Sequence, residues 1–462
     1  MALSVGYDPN TMDMMTYDWR LAYPLLEARD GFLTDFRLKV ERYVQKTGQK
    51  AVLLGHSMGN LVVLFFLRWV TEPTERGGGN GGEDWVERHI ESFVNVGGPL
   101  LGVPKALSAI LSGEMEETAV LGKLGDLLEA YLSSKKRKDL IATWASVWAM
   151  LPKGGPAIWE VGADTSLPLP LLQESPTSKM ATSIDSSNTC SSTDGDNLCR
   201  NPNDNVITTS SETNDLVREF INRTDGEGSL DDVLQFMLDW GGGVGSKVAA
   251  SRYTSFKTSG NESDEVPALN QWHNPIATPL PRAPSMSIYC LYGVDVPTER
   301  GYAYKKNLAP DSTNFLDPPF LIDSAYADIK NNITNGVQTA DGDGSVPLVS
   351  LGFMCADAWQ NSERLNPSQM KVVTKEYKHE ATFKISDPLA RSGPKAGEHC
   401  DILGNEELTF DVINIVTGKG GDLKSRIVSN ILEISQKINS HHLGGVDYAS
   451  NVEPKYPPDP IG

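Results

Sequence analysis

Residues 51 to 61 read Ala-Val-Leu-Leu-Gly-His-Ser-Met-Gly-Asn-Leu. The apolar run 51–54 predicts a buried strand, Gly55-His56-Ser57-Met58-Gly59 a sharp turn, and Asn60 to Val70 a helix with apolar spacing. A serine in a G-x-S-x-G turn between a strand and a helix forms a nucleophile elbow, which activates an alcohol for attack on an acyl carbon. The turn is tight and the helix passes close to the strand. A Cβ at Gly55 or Gly59 is therefore expected to collide with a neighbour. The Ser57 hydroxyl stands at a helix N-terminus, where the dipole and the backbone N–H of Met58 can stabilise an oxyanion.

Such a serine needs a base, and the base needs a carboxylate to orient it. In this kind of fold the chain order is Ser, then Asp or Glu, then His. Seven histidines are available. His56 sits inside the elbow and faces away from the hydroxyl, and His89 and His273 precede the best acid. His441 and His442 fall in a polar tail beyond the last expected helix. His379, in Lys375-Glu376-Tyr377-Lys378-His379-Glu380, lies on or beside a strand. His399, in Gly393-Pro394-Lys395-Ala396-Gly397-Glu398-His399, lies in a loop followed by a helix, the setting such a base requires. Position favours His399 over His379.

The acid is sought after the apolar strand Ser287-Ile288-Tyr289-Cys290-Leu291-Tyr292-Gly293. Asp341-Gly342-Asp343-Gly344-Ser345-Val346-Pro347 is a tight acidic turn leading into an apolar run. Its acidic residues stop too soon for an EF-hand calcium loop. An ordinary Asp-Gly turn is the other reading. Asp343 is preferred for its Asp-x-x-Val register, with Asp341 left to cap the turn.

These residues must be carried by an α/β framework. Residues 30–47 predict an amphipathic helix, with Phe32, Phe36, Leu38, Val40 and Tyr43 apolar, ending at Gly48. A flexible surface loop is expected at Gly77–Gly82 and a second strand at 92–96, closed by Gly97-Gly98-Pro99. Strand–helix–strand order implies a parallel sheet with right-handed crossovers. Residues 105–150 read as mostly helical, ending in a cluster of Trp144, Trp148 and Trp159. Residues 176–214 are a polar, aperiodic insertion. Further helices are expected at 215–221, 230–240, 406–417 and 424–438. The implied division is 1–107 core, 108–285 cap and lid, 286–440 core and 441–462 tail. No internal repeat is evident.

Composition narrows the class. A net charge of −19 in 462 residues opposes nucleic-acid binding. No apolar run reaches the roughly 18 residues that cross a bilayer, and no signal peptide is visible. Five cysteines leave at least one unpaired and show no C-x-x-C zinc spacing. Nothing points to a metal or organic cofactor, and no pattern sets an oligomeric state. Sequons at Asn222, Asn261 and Asn332 lean toward the secretory pathway.

Several stretches together resemble the lecithin:cholesterol acyltransferase family, and within it the phospholipid:diacylglycerol acyltransferases. They are Tyr17-Asp18-Trp19-Arg20, Gly55–Gly59, Gly97-Gly98-Pro99-Leu100-Leu101-Gly102-Val103-Pro104-Lys105 and Leu151-Pro152-Lys153-Gly154-Gly155. Tyr289–Gly293, Pro297-Thr298-Glu299-Arg300, Asp341–Pro347, Gly352-Phe353-Met354-Cys355 and Glu398–Gly404 complete the ordered set. The resemblance implies an α/β-hydrolase fold with a large helical cap or lid, and a triad falling on Ser57, Asp343 and His399. It implies a disulfide between Cys290 and Cys355 and a mobile lid at 108–145. It also implies acyl transfer from phospholipid to diacylglycerol, with the catalytic domain on the lumenal side of the endoplasmic reticulum membrane. Cys190 and Cys199 stay open as a pair or as free thiols.

Family members also carry a cytosolic tail, a membrane-spanning helix and an early strand whose Gly-rich loop supplies half of the oxyanion hole. None precedes Gly6, so the fold is expected to lack its N-terminal strand and Met58 to lack its partner donor. Loss of one such donor costs about 10²–10³ in rate. A phospholipase A or lipase using water as acceptor, or an inactive truncated paralogue, remains an alternative. The three tryptophans could line an acyl pocket, touch a bilayer or pack a core.

Overall fold

The computed structural model describes residues 5–116, 132–159, 171–172, 233, 236–237, 269–307, 318–380 and 393–442. Four strands, β1 (Ala51–His56), β2 (Ile90–Val96), β3 (Ser287–Val294) and β4 (Lys371–Lys378), pair side by side in that order. Every pair is parallel. The long apolar runs follow from burial on both faces. Along β3, Ile288, Cys290, Tyr292 and Val294 join the larger core, whereas Tyr289 and Leu291 join a second cluster with Ile402, Leu408 and Val412. The registers set Gly55 opposite Asn95 and Asn95 opposite Cys290, one row across the sheet.

Three helices precede or follow β1: α1 (Tyr23–Asp30), α2 (Phe32–Thr47) and α3 (Gly59–Thr71). Gly31 breaks α1 from α2 in the left-handed region at φ 62°, and Gly48 ends α2 the same way. The helix expected at 30–47 is therefore α2, starting two residues later and ending at Gly48 as expected, with Leu38 exposed rather than packed. α3 is almost wholly buried, which accounts for its apolar run.

The Gly77–Gly82 segment is not the loose loop expected. Gly79 N–H donates to Trp69 C=O, Asn80 N–H to Glu72 C=O and Gly81 N–H to Val70 C=O, at 2.7, 2.8 and 2.7 Å. These bonds satisfy carbonyls left open at the end of α3. Only glycine lets the chain lie so close, because a Cβ on Gly79 would reach 2.6 Å from the Trp69 ring.

A second sheet centres on Thr298–Lys306, antiparallel to Phe320–Ile322 and Val337–Ala340. It delivers the 341–347 turn to the end of β3, where Val296 and Asp343 bridge. Trp148 and Trp159 are core residues, donating their indole N–H groups to Ala142 and Lys153 carbonyls at 3.0 and 2.7 Å. Neither faces a bilayer. Trp144 is half-buried and meets the exposed Trp19 edge-on, with centroids 4.8 Å apart. Lys153, between Trp148 and Trp159 in sequence, is fully enclosed, its Nζ donating to Ala149 C=O at 3.0 Å. Burial brings its ammonium down to about 7.

The final helix runs Ile431–His442, not 424–438. Arg426 instead pairs with β4, its N–H donating to Thr374 C=O at 2.8 Å. Buried Glu376 then pins the approach to the helix by accepting from Val428 N–H and Ser429 N–H at 2.6 and 2.7 Å. His441 and His442 consequently end a helix instead of lying beyond it. Helices Pro104–Leu111 and Ile431–His442 run through the expected divisions at 107/108 and 440/441. The 176–214 insertion, the helix 215–221, most of 230–240, Cys190, Cys199, Asn222, Asn261 and the tail beyond 442 lie outside the described residues. So does 117–131 of the expected lid.

Candidate active site

Ser57 occupies the turn between β1 and α3 with φ 55°, a conformation most L-residues avoid. Its N–H donates to Val96 C=O at 3.0 Å, pinning the turn to the end of β2. Asn60 Nδ2 donates to both the Ser57 and Val96 carbonyls at 3.0 Å. A Cβ on Gly55 would come within 2.4 Å of Asn60 Oδ1, so glycine is demanded there. Gly59 differs from expectation: the nearest atom to a Cβ is the Tyr17 hydroxyl oxygen at 3.9 Å, an ordinary contact. Met58 is the N-cap residue of α3, so its N–H lies outside the helical hydrogen-bond ladder.

His399 follows β4 at the start of the turn that leads into Asp401–Gly404. Its Nε2 lies 2.8 Å from Ser57 Oγ and its Nδ1 lies 2.7 Å from Asp343 Oδ2. The Asp343 carboxylate is 1% exposed. Its Oδ1 accepts from Ser345 N–H and Val346 N–H at 3.0 and 2.8 Å, which fixes the plane that faces the imidazole. The Asp343 carbonyl also accepts the His399 N–H at 2.7 Å. Asp341 lies outside this arrangement, accepting from Asp295 and Gly342 N–H groups at 2.7 Å. His379 lies outside it too, accepting from Gly397 N–H through Nδ1 at 3.1 Å.

Cys290 and Cys355 are bonded, joining β3 to the helical segment after the acid turn. Asn95, in the same row of the sheet, directs Nδ2 toward the two sulfurs at 3.8 and 4.0 Å. Its Oδ1 accepts the Gly98 N–H at 3.0 Å. Gly97 turns the chain at φ +54°, and a Cβ there would lie 3.4 Å from both Asp343 Oδ2 and His399 Nδ1.

Three supporting side chains escaped the sequence reading. Asn60 and Asn95 had a usable signal, since each is a lone amide beside a run of apolar residues. His56 had none. It turns from the hydroxyl as expected, and its Nε2 lies 2.8 Å from the His399 carbonyl oxygen. Burial is the main cause lowering its basicity, although the bond to that carbonyl opposes the shift. A partly buried alcohol–imidazole–carboxylate row beside helical N–H groups can remove a proton from an alcohol and stabilise a tetrahedral oxyanion.

The model of the lecithin:cholesterol acyltransferase family matches residues 2–406. A Schizosaccharomyces pombe protein named phospholipid:diacylglycerol acyltransferase is 34% identical over 94% of this chain and 61% of its own length. The Saccharomyces cerevisiae protein of the same name is 34% identical over 92% of this chain and 57% of its own. Phospholipid:diacylglycerol acyltransferase 1 of Arabidopsis thaliana is 32% identical over 94% and 70%. The chain thus spans about three fifths of the length of the two fungal relatives. On the extent of the family match, the chain belongs to the lecithin:cholesterol acyltransferase family.

Proposed function

We propose that the chain moves the sn-2 acyl group of a phospholipid onto diacylglycerol through a seryl acyl-enzyme, giving triacylglycerol and lysophospholipid. The observation that carries this reading is the hydrogen-bonded row Ser57–His399–Asp343, with links of 2.8 and 2.7 Å. The names of the fungal and plant relatives supply the substrate pair.

His399 Nε2 takes the Ser57 proton as Oγ attacks the ester carbonyl, and Met58 N–H donates to the oxyanion. Asp343 keeps Nδ1–H in place and stabilises the imidazolium. The proton passes to the departing lysophospholipid oxygen. The diacylglycerol hydroxyl then gives its proton to His399 and attacks the acyl-enzyme, and Ser57 leaves with that proton. Water must be excluded at this second step, a task we assign to a helical cap and lid near 108–145.

We place this chemistry at the lumenal face of the endoplasmic reticulum membrane. The Cys290–Cys355 bond supports an oxidising compartment, and the Asn332-Ile333-Thr334 sequon has an exposed asparagine. Among the described residues, no helix is long and apolar enough to cross a membrane.

The test supplies vesicles of phospholipid labelled in the sn-2 acyl chain with excess diacylglycerol, using Ser57→Ala as the blank. Label in triacylglycerol supports the proposal. Label confined to free fatty acid makes the chain a phospholipase, and no label from a folded preparation makes it inactive.

A further inference from the structure

The His399 backbone is gripped on both sides. Its N–H donates to the Asp343 carbonyl at 2.7 Å, and its C=O lies 2.8 Å from His56 Nε2. A carbonyl oxygen can only accept, so His56 Nε2 carries a hydrogen. The two imidazole centroids are 5.0 Å apart and tilted by 36°. His56 immediately precedes the nucleophile on the same rigid turn.

We propose that His56 is a positioning residue for His399, holding the carbonyl of the base from the strand that presents the nucleophile. The bond spans 343 residues of sequence. It sets the separation of Ser57 and His399 directly, without passing through Asp343. Without it the His399 peptide is held only at its N–H side and by the ring contacts, and the imidazole can swing from Ser57 Oγ. A misplacement near 1 Å costs about 10²-fold in rate.

The inference rests on the reading of His399 as the base. The experiment therefore measures Ser57 directly, through the rate of phosphonylation by an alkyl fluorophosphonate. In that reaction the Oγ–P bond forms, the P–F bond breaks, fluoride leaves and the Ser57 proton passes to His399. His399→Ala in the full chain serves as control. If the parent does not label at Ser57, or labels equally without His399, the reading of the row itself fails.

Three variants isolate His56. A glutamine amide nitrogen reaches about as far as Nε2, whereas an asparagine amide stops near Nδ1. His56→Gln should label at close to the parent rate. His56→Asn and His56→Leu should fall about 10²-fold in the maximal rate with little change in reagent affinity. Thermal melts of all three separate slow chemistry from unfolding. Equal rates for Gln and Asn, or losses that track melting temperature, overturn the inference.

Discussion

Asn60 reaches back across the first turn of α3 to donate its side-chain amide to the Ser57 carbonyl at 3.0 Å. The same amide reaches Val96 C=O, so one side chain ties the elbow to the neighbouring strand. Asn60→Ala removes both bonds while each carbonyl keeps a backbone donor, and should cost about 1–3 kcal/mol. Asn60→Asp points a buried carboxylate at two carbonyls and should be far worse. Denaturant melts of the two variants check this; equal losses would show that only volume matters.

Gly97 should not tolerate a methyl group. Alanine there must hold a left-handed conformation, costing about 1–2 kcal/mol, with its Cβ 3.4 Å from His399 Nδ1 and Asp343 Oδ2. Gly97→Ala is expected to slow Ser57 labelling through the strain of holding this turn against the imidazole and the acid. A labelling rate and melting temperature unchanged from the parent contradict the strain argument.

The two aspartates of the acid turn should separate cleanly. Asp343→Asn offers N–H where His399 needs an acceptor or turns the wrong tautomer toward Ser57, a change worth about 10⁴ in rate. Asp341→Asn keeps an acceptor oxygen for Asp295 and Gly342 N–H and should stay close to the parent. Acyl-transfer rates of the pair decide between them.

Removing the Cys290–Cys355 bond releases a loop with a sequence separation of 65 and should cost about 2–5 kcal/mol. The double alanine variant should melt lower than the oxidised parent and become indifferent to reductant. A parent whose melting ignores reductant speaks against the bond.

Lys153 gives a pH signature. Burial lowers its folded value from 10.5 to about 7, so between those values the unfolded chain binds the extra proton. Stability contributed by this group therefore rises with pH across that window. Lys153→Met deletes the cost of burying the charge, leaving Ala149 C=O to the His273 imidazole. The variant should gain stability near pH 7, and the gain should shrink toward pH 10.5. A gain independent of pH would mean packing, not charge, is responsible.

How far the arrangement was readable from residues depends on whether the cause is local. Glycines punctuate the elbow, and the loop context of His399 is equally local, so both could be located without coordinates. Asp343 and Asp341 differ by their register toward Val346, again a local cue. The start of the final helix was illegible because Glu376, on β4, holds the preceding residues Val428 and Ser429 in a non-helical approach from far along the chain. The Gly77–Gly82 segment misled for a related reason: its backbone donors serve carbonyls of α3, and composition says nothing of partners. A linear reading leaves the tryptophans open between acyl pocket, bilayer and core; Trp148 and Trp159 are interior, as is Lys153 between them in sequence.

Ser57 emerges during synthesis 342 residues ahead of His399. Until β3, the acid turn and the segment beyond β4 have been made, the hydroxyl has neither proton acceptor nor orienting carboxylate. On the proposed reading, a growing chain thus carries a chemically mute serine, and reactivity switches on only once folding is nearly complete.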